Sequence, residues 1–143
     1  MKFSLIICTY MRPVALLKLL RSVEIQFKYP DEIIIIDGSS NDETKLALEK
    51  HNFKNLVYYK VSEAERGLTK QRNYGVAKAN KETEIICFLD FDTILEKEYF
   101  DNLIETYSIY PEALAVGGYI VNEISWQQKK KKNRNDFFFD GWV

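Results

Sequence analysis

The sequence predicts one α/β domain in which a mostly parallel β-sheet carries helices on both faces. Short apolar runs rich in β-branched residues alternate with amphipathic stretches along the chain. Strict alternation requires crossover connections between strands, and such connections produce a parallel, doubly wound sheet. The length of 143 residues and the hydrophobic content of 46% suit a single core.

Five strands are predicted from the apolar runs. In the second run four consecutive isoleucines end in Asp37, and the fourth run ends just before Asp90. Such short runs with many β-branched residues are typical of strands. The predicted strands span residues 3–8, 32–37, 56–61, 84–89 and 113–121.

Four helices are predicted between these strands, over residues 14–27, 42–51, 69–79 and 97–107. Pro13 precedes the first helix, where a first-turn proline is tolerated. Asn41 or Asp42 can cap the second helix, and Gly67 marks the loop before the third. Together the elements predict a Rossmann-like sheet. Apolar residues recur at helical spacing in the first helix: Leu16, Leu17, Leu19, Leu20 and Val23.

The composition argues against several classes of protein. Twenty basic and 21 acidic residues give a net charge of −1, so we expect no nucleic-acid partner. Cys8 and Cys87 lie in apolar runs without metal-ligand spacing and are interpreted as buried hydrophobic residues of a protein in a reducing cytoplasm. The apolar runs are far shorter than the ~20 residues that span a bilayer, so a soluble protein is expected.

The alternating pattern ends after residue 121, which divides the chain into segments 1–121 and 122–143. Residues 129–132 are four lysines, interpreted as a solvated loop or, alternatively, as a contact with an anionic bilayer surface at the inner face of a membrane. Residues 137–143 contain three phenylalanines and a tryptophan. We expect this aromatic segment to belong to a truncated fold, to be completed by a partner, or to mediate self-association.

Acidic residues follow two of the apolar runs. Asp90 and Asp92 come directly after the fourth strand, and Asp37 ends the second. Ligands of open α/β sheets collect beyond the carboxyl ends of the strands. Because alternate residues of an extended segment point the same way, both carboxylates can address one Mg²⁺ or Mn²⁺ while Phe91 turns toward the sheet. The alternative is that these acids only cap the next helix.

Three further features suggest a nucleotide. Thr9, Tyr10 and Arg12 place a hydroxyl, an aromatic face and a guanidinium after the first strand, although a simple loop into a helix would also explain them. Residues 65–75 present several cations at a helix start, which favours phosphate, although solvated surface is the alternative. A carboxylate at the position of Asp37 is costly without a partner, such as a base N–H or a ribose hydroxyl.

Four segments in register, SLIICTYMRP, DEIIIIDGSSNDET, RGLTKQRNYGVAKA and EIICFLDFDTIL, resemble the nucleotide-binding half of family 2 glycosyltransferases of the GT-A fold. The resemblance covers residues 3–121. It implies a nucleoside-diphosphate sugar donor, most often a UDP-sugar, and a Mn²⁺ or Mg²⁺ ion on Asp92 that bridges the diphosphate, with Asp90 near the ribose and sugar. The remaining residues of the implied donor site are Thr9, Tyr10, Arg12, Asp37, Arg66, Arg72 and Phe91.

The chain departs from the family pattern in several places. Gly38 replaces a frequent second acid, Met11 a frequent asparagine and Cys8 a frequent proline. Members also carry an acceptor-binding half with a catalytic base, for which Asp136 and Asp140 are the late candidates here.

The resemblance implies the donor-binding part of a metal-dependent, inverting glycosyltransferase that acts on a saccharide or lipid-linked acceptor. The alternative is a non-catalytic nucleotide-sugar-binding module that works through a partner. A receiver-type signalling domain would need acids where Cys8 and Thr9 stand.

Overall fold

The computed structural model describes residues 1–121, and the lysine run, the aromatic segment and the late acids Asp136 and Asp140 lie outside this range. Within it four strands alternate with four α-helices. The strands are β1 (Phe3–Thr9), β2 (Glu32–Asp37), β3 (Leu56–Lys60) and β4 (Ile85–Asp90), and the helices are α1 (Pro13–Glu24), α2 (Glu43–Glu49), α3 (Leu68–Lys78) and α4 (Tyr99–Ile109).

All strand pairs are parallel, and the order in the sheet is β3-β2-β1-β4. The predicted parallel α/β fold class is therefore confirmed. The order also separates this chain from receiver-type domains, because β1 neighbours β4 here and not β3. The strands β2 and β3 are added on one side of β1 and β4 on the other, so a crevice opens between the carboxyl ends of β1 and β4.

The core lies on both faces of the sheet, as a doubly wound fold requires. On one face α1 and α4 pack against the strands, and the rings of Phe3 and Phe100 lie 4.9 Å apart, centroid to centroid. On the other face a smaller cluster includes Ile6 and Ile36, and α3 covers it. Burial of this apolar surface is the main stabilising contribution to the fold.

The predicted fifth strand, residues 113–121, is wrong: this segment has no strand structure. A strand needs a partner, and two successive glycines, Gly117 and Gly118, weaken the tendency to extend and pair. Leu114 is fully exposed, whereas Val116 packs against the core. The apolar residues of this segment therefore do not form a strand; Val116 packs against the core from an irregular backbone.

Helix ends also differ from the predicted ones. Helix α1 ends at Glu24 and not at residue 27. The Ser22 carbonyl, which a longer helix would pair with the backbone N–H of Gln26, accepts from the Gln26 side chain, and this side chain also donates to the Glu96 carbonyl. Asp42 is the N-cap residue of α2, but its carboxylate pairs with Lys60 at 2.6 Å. No helix among residues 1–121 is long and apolar enough to cross a membrane.

Gly75 sets how closely α3 approaches the sheet. A Cβ atom at this position would lie 2.6 Å from Cγ2 of the buried Ile6. We expect Gly75→Ala to lower the free energy of unfolding by about 1–2 kcal/mol, because overpacking of the core outweighs the gain of about 1 kcal/mol in helix propensity. Gly117→Ala is the matched control, since its added Cβ would meet no atom within 4 Å. Equal urea midpoints for the two variants would contradict this packing.

Candidate functional site

The parallel register brings the predicted site residues to one edge of the sheet. Thr9 of β1 pairs with Asp37 of β2, and Cys8 pairs with Asp90 of β4. These residues therefore end their strands at the same level. The arrangement follows from four parallel strands that all end in polar residues or precede polar loops.

A cleft of about 570 Å³ opens between the ends of β1 and β4, and we call it the β1–β4 cleft. Its size falls in the range of small-molecule sites. It brings together six of the predicted site residues, Thr9, Tyr10, Arg66, Asp90, Phe91 and Asp92. Cys8, Gly67, Leu68 and Gln71 complete its lining.

The two acids at the end of β4 have different surroundings. Asp90 accepts from the Arg72 guanidinium at 3.2 Å, and this guanidinium also lies 5.4 Å from the Phe88 ring centroid. Asp92 is exposed and has no hydrogen-bond or ion-pair partner within residues 1–121. Phe91 between them packs against the core, as the alternation predicts.

The acid pair can hold a hard cation only with help from other oxygen atoms. In the described part of the chain, no three or more His, Cys, Asp or Glu side chains lie together so that they could hold a metal ion by themselves. Two carboxylates that leave the remaining positions to water and substrate phosphate are a common arrangement for Mg²⁺. The donor set of Asp90 and Asp92 therefore fits a cation shared with a diphosphate.

Arg66 and Tyr10 lie against each other in the lining of the β1–β4 cleft. The Arg66 guanidinium carbon lies 5.2 Å from the Tyr10 ring centroid, a cation–π geometry. The Nε atom of Arg66 is buried and has no hydrogen-bond partner. Gly67 follows with φ of 120°, a backbone conformation that L side chains rarely adopt. The loop is thus shaped to present this guanidinium at the cleft.

Thr9 has an unsatisfied hydroxyl. The residue is 3% exposed, and its Oγ1 is buried without a partner. Buried polar atoms in native proteins are nearly always paired, so an unpaired hydroxyl in a residue that lines a cleft is a candidate to hydrogen-bond a ligand or a water molecule.

Asp37 is fully buried and already has protein donors. Its carboxylate accepts from Ser39 N at 2.8 Å, from Ser39 Oγ and from the Tyr58 hydroxyl at 2.8 Å. The burial cost that suggested a ligand is therefore offset by the protein itself. Burial and the bond to Asp37 raise the pKa of Tyr58.

Ser39 Oγ also accepts from Met11 N, which holds Met11 at a φ of 53° that asparagine tolerates better than methionine.

Gln71 is a positioning residue that the sequence analysis missed. It is 4% exposed, and its amide donates to the Thr9 and Ile36 carbonyls at 3.1 and 2.9 Å. Its Oε1 accepts from Gly67 N at 3.2 Å. One side chain thus ties α3 to the ends of β1 and β2. The available signal was a polar residue one helical turn before Gly75, on the face that packs against the sheet.

Three predicted donor residues, Asp37, Arg72 and Arg12, do not line the β1–β4 cleft, and Arg12 lies apart from the others. It lines a neighbouring cleft of about 470 Å³, which we call the α1 cleft. Asp92 lines both clefts, so they are adjacent. The other residues of the α1 cleft are Met11, Pro13, Val14, Ala15, Lys18 and Ile94.

Comparison with known proteins decides the family, because the sequence model of the family Glycosyl transferase family 2 matches residues 4–142. The chain belongs to glycosyl transferase family 2. A glucosyl-dolichyl phosphate glucuronosyltransferase of Haloferax volcanii is 26% identical over 133 residues, covering 91% of this chain and 41% of the relative. The O-antigen chain rhamnosyltransferase RfbN of Salmonella typhimurium is 34% identical over 76% of this chain and 34% of its own length.

Solved structures share the fold of this chain. Staphylococcus aureus TarS superposes with a TM-score of 0.66 at 23% identity, covering 86% of this chain and 40% of that structure. Further TarS structures with the same TM-score are complexes with UDP-GlcNAc and with UDP. The chain spans about two fifths or less of the length of these relatives. The match extends the confirmed fold class to the GT-A type.

Cys8 offers a test of the cleft's electrostatics. Burial is the main cause that raises its thiol pKa from 9.0 to about 11, with Asp90 adding and Arg72 opposing. The folded state therefore holds the proton more tightly than the unfolded state, and stability falls as pH rises from 9 to about 11. We expect Cys8→Ala to lose less stability than the parent across this window, measured by urea unfolding. Parallel pH profiles would contradict the assigned environment.

Proposed function

We propose that the β1–β4 cleft binds a nucleoside-diphosphate sugar and that the chain is the donor-binding part of a metal-dependent, inverting glycosyltransferase. The observation that carries this proposal is a cleft lined by an acid pair and by Thr9 and Arg66, whose Oγ1 and Nε atoms are buried and unpaired. Family membership supports the transferase activity, and the TarS complexes support UDP as the nucleotide.

Tyr10 and Arg66 supply the nucleotide contacts in this proposal. Tyr10 is 45% exposed and lines the cleft, so its ring offers a face on which a base can stack. The Thr9 hydroxyl would gain the partner that it lacks in the protein. Asp37 is fully buried and lines neither cleft, so in this proposal it fixes the turn at Ser39, beside its register partner Thr9, and does not contact the base.

Asp90 and Asp92 would hold the Mn²⁺ or Mg²⁺, with Asp90 also near the ribose and sugar. A cation bound there supplies charge neutralisation of the diphosphate. Arg72 keeps Asp90 in place through the 3.2 Å ion pair and adds positive charge beside the acid pair. Arg66 adds a second guanidinium in the lining of the cleft, a group that suits phosphate oxygen atoms.

The reaction in this proposal is a direct displacement. An acceptor hydroxyl attacks the anomeric carbon, the bond from that carbon to the diphosphate breaks, and its electron pair leaves with the phosphate oxygen. A base takes the hydroxyl proton. Arg66 and Arg72 stabilise the charge of the departing diphosphate. The acceptor is a saccharide or a lipid-linked compound, in line with the glucosyl-dolichyl phosphate in the name of the Haloferax relative.

Thermal unfolding with UDP and divalent cations tests this function. UDP at 100 times its Kd should add about 2.7 kcal/mol of stability when Mn²⁺ or Mg²⁺ is present, because it binds only the folded state. In EDTA the gain should largely disappear. Equal stabilisation in EDTA would contradict the metal, and no stabilisation by any nucleoside diphosphate would contradict the donor site. Transfer assays then separate a catalytic chain from a binding module.

A further inference from the structure

The α1 cleft is lined by two cations that form no ion pair within residues 1–121. Arg12 and Lys18 line it, both are exposed, and neither has an ion-pair or hydrogen-bond partner for its side chain within that range. Helix α1 contains no acid in its first turn. The one acid in the lining is Asp92, which the proposed function assigns to the cation of the donor site.

Apolar surface lies beside these cations. Val14 is 68% exposed and Ile94 is 71% exposed, and both line the α1 cleft. The cleft therefore offers positive charge next to apolar contact area. An anionic group attached to a larger organic body matches this combination, and Arg12 can bind a phosphate through two parallel hydrogen bonds.

The position of the cleft relative to Asp92 suggests its role. Asp92 lines both the α1 cleft and the β1–β4 cleft. A molecule in the α1 cleft would thus lie next to Asp92, in a different cleft from Thr9, Tyr10 and Arg66. In a direct displacement the attacking molecule must reach the sugar from a side that the diphosphate leaves open.

We propose that the α1 cleft is an acceptor subsite and that Arg12 and Lys18 bind a phosphate group carried by the acceptor. This inference rests on the proposed function for its role, but the phosphate site itself does not. It also moves Arg12 from the donor side, where the resemblance placed it, to the acceptor side.

NMR titration with three small probes tests the subsite. The probes are octyl phosphate below its micelle-forming concentration, glycerol 3-phosphate and uncharged octyl glucoside. We expect the phosphates to shift signals of the α1 cleft and octyl glucoside to bind at least about tenfold more weakly than octyl phosphate. Tighter binding of octyl phosphate would indicate a lipid phosphate, and tighter binding of glycerol 3-phosphate would indicate a polyol phosphate.

Three substitutions, at the N-cap of α1 and along the helix, sharpen the test. Arg12→Gln and Lys18→Gln should each weaken phosphate binding about tenfold, the effect of losing one charge-assisted contact. Arg21→Gln, an exposed cation in the last turn of α1, is the matched control and should change it less than twofold. Equal losses in all three, or no loss in any, would overturn the subsite.

UDP binding in Mn²⁺ separates this inference from the proposed function. Lys18→Gln should leave the UDP affinity within about twofold. If Arg12→Gln and Lys18→Gln weaken UDP as much as phosphate, both cations belong to the donor site and the inference is wrong. If the parent chain binds the phosphate probes but no UDP, the anion site stands and the proposed donor function fails.

Discussion

Asp92→Asn is expected to weaken the metal-dependent binding of UDP by about 10-fold to 100-fold or more. Loss of a residue that only supports a metal ligand already has an effect of about this size. The substitution keeps the shape of the side chain but removes its charge. Because Asp92 is exposed and has no partner within residues 1–121, the free energy of unfolding without ligand should change by less than about 0.5 kcal/mol. Isothermal titration of UDP with and without Mn²⁺ measures the effect.

Glu96→Gln is the matched control for Asp92→Asn. Glu96 is an exposed acid of the same loop, and its side chain makes no hydrogen bond or ion pair in the described structure. It should bind UDP as the parent does. If Asp92→Asn kept the full Mn²⁺ dependence, Asp92 would be an ordinary loop acid and the donor site would need another cation ligand.

Gln71→Leu is expected to lower the free energy of unfolding by about 3 kcal/mol, because three backbone groups lose a buried partner while no new one replaces it. These groups are the Thr9 and Ile36 carbonyls and the Gly67 amide. UDP affinity should fall as well, since the same side chain fixes the positions of Thr9 and of the loop before α3. Urea unfolding and UDP titration measure the two effects.

Asn73→Leu provides the comparison for Gln71→Leu. Asn73 is an exposed amide on the same helix and makes no hydrogen bond in the described structure. The same chemical change there should alter stability by less than about 0.5 kcal/mol. A loss for Gln71→Leu that is no larger than for Asn73→Leu would show that the buried amide does not hold the sheet edge together.

Local chemistry made the sheet predictable. The four isoleucines before Asp37 allow little except a buried strand, and the predicted bounds of β2 agree with the structure. Asp90, by contrast, is the last residue of β4 and not the first residue after it. The predicted strand over residues 113–121 failed for a different reason: pairing is a tertiary property, and apolar alternation does not reveal whether a neighbouring strand exists.

The site was predictable as a set of residues but not as a geometry. Register along parallel strands brings Thr9 and Asp90 to one cleft. Their positions at the ends of apolar runs made this proximity predictable. The donors to Asp37 come from Ser39 and from Tyr58 on another strand, and only the fold shows that they meet. The separation of Arg12 from Tyr10, two residues away, depends on the turn at Met11, where φ is 53°.

The most direct test of the donor site is an NMR titration of the ¹⁵N-labelled chain with UDP, first with Mg²⁺ and then with a small fraction of paramagnetic Mn²⁺. The β1–β4 cleft predicts that UDP shifts the signals of Thr9, Tyr10 and Gly67, and that Mn²⁺ broadens Phe91 and Asp92 most strongly. Residues around Lys45 and Glu49, which line a separate small cavity of about 230 Å³, should not respond. Absence of any UDP shift, or Mn²⁺ broadening centred away from Asp92, would contradict the proposed donor site.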